Sequence, residues 1–84
     1  MKKLDYTKLS EMVSGKMLLL RIEFSLKDLE DSQSPEEIKK LYDEFVADMC
    51  TLFRYGIIKY DDMDYLTEYA FKIAEELSYR YENV

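Results

Sequence analysis

Residues 34–58 read SPEEIKKLYDEFVADMCTLFRYGII, and this stretch decides the fold. Ser34-Pro35-Glu36-Glu37 is a helix start. A serine hydroxyl before the first turn accepts a backbone N–H, a glutamate three residues on can bond back to the serine amide, and proline at the first helical position loses no hydrogen bond. Behind it Ile38, Leu41, Tyr42, Phe45, Val46, Met49, Leu52 and Phe53 recur at the 3.6-residue spacing of one helix face. Gly56 marks the stop, because glycine takes the left-handed conformation past a helix end, and Ile57 stands where the apolar contact of a Schellman ending to Leu52 is made. The spacing therefore predicts a helix over 35–55, with Ile57-Ile58 as a short apolar link.

Downstream, Asp61, Asp62 and Asp64 put negative charge where the dipole of a new helix favours it, and Tyr60 and Tyr65 are spaced as a hydrophobic staple. Met63, Leu66, Ala70, Ile73, Ala74, Leu77 and Tyr81 form the stripe of a helix over 62–82, bordered by Tyr69. Upstream, Asp5 or Thr7 can cap a helix over 5–30 that ends before Asp31-Ser32-Gln33. It carries two stripes on nearly opposite faces: Leu9, Val13, Met17, Leu20 and Phe24 on one, Leu18, Ile22, Leu26 and Leu29 on the other. Ser14-Gly15 interrupts it, since glycine costs about 1 kcal/mol against alanine within a helix, so a kink or a later start is open. Alternation at Leu18, Leu20, Ile22 and Phe24 also permits a strand, but one strand without a partner is not a stable element. The expected fold is all-α, an antiparallel up-down-up three-helix unit spanning 1–84 as one domain.

Size sets the next expectation. A chain of 84 residues hides only about 60–65% of its unfolded surface, so a supplement to a small core is needed. With one cysteine, Cys50, and no histidine, neither an internal disulfide nor a Cys/His metal site can supply it. Self-association remains. One helix of a three-helix unit needs a single apolar stripe, and the first predicted helix has two. Leu18, Ile22, Leu26 and Leu29, spaced 4, 4 and 3, suit a seam with a second copy, giving a homodimeric helical bundle.

Composition narrows function. A net charge of −6 opposes generic nucleic-acid binding. The acidity is concentrated downstream: residues 1–30 carry six basic and five acidic side chains, residues 31–84 six and thirteen. Much of it is answered on the helix surface, where Glu36–Lys40, Glu68–Lys72 and Glu76–Arg80 are acid-before-base pairs at i, i+4, with Lys39–Asp43 and Lys40–Glu44 in the weaker order. No run of apolar residues approaches a membrane span, and the N-terminal lysines precede no apolar signal core. A lone thiol without an export signal fits the cytoplasm.

Catalysis is not expected. Cys50 has no histidine to activate it, no glycine-rich phosphate cradle is present, and Asp61-Asp62-Met63-Asp64 lacks the spacing of a calcium loop. No cofactor or metal is implied. The eight tyrosines are the more informative feature. Tyr42 and Tyr81 fit the core, whereas Tyr65, Tyr69 and Tyr79, with Phe71, form a candidate partner surface of rings with polar tips. The expected function is a non-enzymatic protein–protein interaction module, a small cytoplasmic accessory or regulatory protein acting as a homodimer. One alternative is an acidic inhibitor mimicking nucleic acid through Asp61, Asp62, Asp64 and Glu75; another is a purely structural assembly subunit.

Overall fold

The computed structural model describes residues 15–82, which form three helices and no strand: α1 (Lys16–Glu30), α2 (Pro35–Arg54) and α3 (Tyr60–Glu82). The strand reading of Met17–Phe24 is thereby replaced by helix. Each helix packs against the other two, α2 with α3 most extensively. Their directions follow from particular contacts. Leu18 to Ser25 of α1 lie opposite Asp48 to Leu52 of α2, so these run antiparallel. Tyr81 near the end of α3 bonds to Ser32 just before α2, so α3 also runs antiparallel to α2.

The two boundaries of α2 form as the sequence dictates. Ser34 is extended at φ −153°, ψ 158°, and its Oγ accepts the Glu37 amide at 3.2 Å, with Pro35 next in line. The return bond from the Ser34 amide to the Glu37 carboxylate is not formed. At the other end Gly56 sits at φ 75°. Its amide donates to Phe53 O at 2.9 Å, and the Ile57 amide to Leu52 O at 2.9 Å, the paired bonds of a Schellman ending. Of the two isoleucines that follow, Ile58 is buried and Ile57 is exposed.

α3 begins at Tyr60, two residues before the expected start, and its first bond runs from the Met63 amide to Lys59 O at 3.0 Å. α1 departs further from expectation. Gly15, at φ 129° and ψ 117°, is not helical, and α1 starts after it with Leu19 N–H donating to Gly15 O at 3.1 Å. A helix unbroken from Asp5 to Glu30 is therefore not formed; the rest of that expectation, with its Asp5 or Thr7 cap and Leu9 and Val13, lies outside the described residues.

The core settles which stripe of α1 faces inward. Ile22, Leu26 and Leu29 are buried with Ile38, Phe45 and Met49 of α2, Ile58, and Leu66, Ala70, Ile73 and Ala74 of α3. Leu18 packs against this cluster at its edge. This corrects the expected dimer seam. Ile22, Leu26 and Leu29 are taken up in the core of a single chain, while Leu18 stays half-buried at its edge. The opposite stripe is the outward one, with Met17 81% and Phe24 61% exposed and Leu20 half-buried. A second correction concerns Tyr81. Expected in the core, it lies at its margin, 37% exposed in the last turn of α3, with its hydroxyl bonded to Ser32 O.

Candidate functional site

The large apolar side chains left at the surface are the first guide to function, since polar and charged groups can be solvated anywhere but clustered rings need a reason. Phe53, Tyr55, Ile57 and Tyr60, with Tyr55 76% exposed, concentrate at the α2–α3 turn. The helix stop explains their position. The Schellman ending fixes the direction in which the chain leaves α2, so the stripe of α2 runs past its packed length at Phe53, while α3 starts with Tyr60 alongside. The rings of Phe53 and Tyr60 meet edge to face, centroids 5.7 Å apart with planes at 74°. By spacing alone Phe53 belongs to the core stripe of α2 and Tyr60 to a staple with Tyr65. The available signal was the glycine stop three residues after Phe53, which leaves that residue near the end of the bundle.

The expected surface of Tyr65, Tyr69, Phe71 and Tyr79 is only partly assembled. Tyr65 and Tyr69 are half-buried against the core, whereas Tyr79 is 67% exposed. Phe71 lies on another side of α3, about 160° around the helix from Tyr69 at 100° per residue. Its ring packs edge to face on Tyr42 of α2, centroids 6.1 Å apart. Tyr65, Tyr69 and Tyr79 thus share one flank, and Phe71 helps cover the α2–α3 seam instead.

Charge is distributed as a solvated helix surface. Lys39–Asp43 at 3.1 Å, Lys72–Glu68 at 3.6 Å and Arg80–Glu76 at 3.4 Å are all exposed i, i+4 pairs, each contributing about 0.2–0.5 kcal/mol. Glu36–Lys40 and Lys40–Glu44 are not formed. Asp61 and Asp62 occupy the first turn of α3, where its dipole favours them. Asp61, Asp64 and Glu75 are exposed and Asp62 half-buried.

Cys50 is a half-buried free thiol on α2. Among the described residues no group of three or more His, Cys, Asp or Glu gathers to hold a metal ion, and no buried side-chain N or O atom lacks a partner. No described helix is long and apolar enough to cross a membrane. A groove of about 210 Å³ runs between α1 and α2, with Ile22 and Met49 in its lining and Arg21 and Asp48 at its edges. No family model, curated protein or solved structure matches this chain.

Proposed function

We propose that this chain is a non-enzymatic protein–protein interaction module, a small cytoplasmic accessory or regulatory protein that acts as a homodimer and engages a protein partner through the aromatic end at the α2–α3 turn. The observation that carries this reading is the set of four large apolar side chains, Phe53, Tyr55, Ile57 and Tyr60, held at solvent within eight residues by a fixed helix stop. Such rings offer apolar area at little entropic cost, because two of them are already braced against each other. A reducing compartment suits the single thiol of Cys50.

The test is site-specific photo-crosslinking in cells, with the crosslinker placed at Tyr55 and, as a control, at Glu75. The reading expects one protein adduct from position 55 that disappears when Tyr60→Ala is added. Adducts at Glu75 and none at Tyr55, whose formation in a lysate falls steeply as salt is raised before irradiation, would instead favour the acidic-mimic alternative, since exposed charge is screened over about 8 Å at physiological ionic strength.

A further inference from the structure

We propose that α1 is a hinged strap: it lifts off the α2–α3 hairpin from its Gly15 end, pivoting on the link at Ser32, while the hairpin stays folded. The two ends of α1 are held unequally. At its start Gly15 offers no side chain to cap the helix, the first turn holds no acidic residue, and from Met17 to Arg21 no side chain is buried. An open groove of about 210 Å³ lies there between Leu18 and Ile22 of α1 and Met49 and Leu52 of α2, so these side chains forgo part of their mutual contact. The far end is secured. The Asp31 amide donates to Lys27 O at 3.0 Å, Ser32 is buried, and its carbonyl oxygen accepts the Tyr81 hydroxyl from α3 at 3.0 Å.

Charge adds to the imbalance. A helix dipole favours acids in the first turn and bases in the last. α2 has Glu36 and Glu37 first and Arg54 last, and α3 has Asp61 and Asp62 first and Arg80 last. α1 instead ends with Asp28 and Glu30 around Leu29, one base, Lys27, and Asp31 as its C-cap. The hairpin, by contrast, is joined without α1. The Gly56 stop, the Phe53–Tyr60 pair and the Tyr42–Phe71 pair all lie within or between α2 and α3. What α1 supplies is one ridge, Ile22, Leu26 and Leu29, buried with Ile38, Phe45 and Ile73. Once lifted it also loses its helix, because a released helix of 15 residues is marginal in water.

Native-state hydrogen exchange of the full chain, followed by NMR, tests this. The amides of Ile22, Leu26 and Leu29 should share one protection factor, at least about tenfold below those of Phe45 and Ile73. Two variants then separate lifting from global unfolding. Gly56→Ala should lower protection at Phe45 and Ile73 by about tenfold and leave the three α1 amides unchanged, because the lifted form still contains the strained stop. Tyr81→Phe should likewise lower protection at Phe45 and Ile73 and spare α1, because the bond to Ser32 survives the lifting. Equal protection in all three helices overturns the proposal, since the chain then opens as one unit. So does protection that climbs residue by residue from Ile22 to Leu29, the pattern of a fraying end. A fall at the α1 amides in Tyr81→Phe would show that the link leaves with the helix, and overturns the pivot at Ser32 on which the strap depends.

Discussion

The hydroxyl of Tyr81 donates to the carbonyl oxygen of Ser32 at 3.0 Å, tying the last turn of α3 to the link between α1 and α2. Ser32 is buried although it lies in a polar connection, and its own hydroxyl turns back toward Asp28 O at 3.5 Å. The link is therefore held from both sides.

Replacing Tyr81 by phenylalanine keeps the ring and removes only the donor. Because the Tyr81 side chain is partly exposed, water can take up some of the lost bond, and the expected cost is about 0.5–1.5 kcal/mol. Urea denaturation checks it: the midpoint should fall with an unchanged slope. An unshifted midpoint would mean that the bond contributes nothing.

The two faces of α1 give the sharpest contrast. Leu29 has no exposed surface, and truncation to alanine should cost about 2–5 kcal/mol, from lost burial plus the cavity left behind. Phe24 points outward, so Phe24→Ala should change the stability of a single chain by no more than about 0.5 kcal/mol. Thermal denaturation of the two variants at a concentration too low for association distinguishes them. Equal costs would reverse the assignment of the inner stripe.

Gly56→Ala probes the helix stop. A methyl group added there would meet no atom within 4 Å, so the cost comes only from forcing a residue with a Cβ to φ 75°. That is about 1–2 kcal/mol, and Gly56→Asn should lose less, because asparagine tolerates the left-handed region. Melting temperatures ranked Gly, Asn, Ala, with helical content preserved, are the expected result.

How far the sequence carried the fold differs from helix to helix. For α2 the stop and start signals are local chemistry, a hydroxyl, a ring and a missing Cβ, and they act within one turn of chain. The Ser34 cap and the two backbone bonds of the stop form, and the return bond to Glu37 does not. For α1 the stripes of Leu18–Leu29 and Met17–Phe24 are equally apolar, so the inner one is chosen only by contact with Ile38, Phe45 and Ile73, which no single helix encodes. Gly15 was the warning that the helix would not run through. The surface rings were legible as an excess of tyrosine, but their grouping was not. Tyr69 and Phe71 are two residues apart and on different sides of α3, while Phe53 and Tyr60 are seven apart and touch.

That last contact sets the final test. If Phe53 and Tyr60 brace each other across the turn, a double-mutant cycle of Phe53→Ala and Tyr60→Ala on folding should return a coupling of about 0.5 kcal/mol, the low end for an aromatic pair, because both rings remain partly in water. Tyr55→Ala, one residue before Gly56 and exposed, serves as the uncoupled reference and should add to either single variant within about 0.3 kcal/mol. The same three variants report on binding in a different pattern. A braced pair that forms a partner surface should lose capture in either ring variant by far more than folding suffers. A pair that merely closes the end of the bundle should lose folding and capture in proportion. Zero coupling on folding would leave the two rings free to rearrange and would remove the preorganised surface on which the proposed function depends.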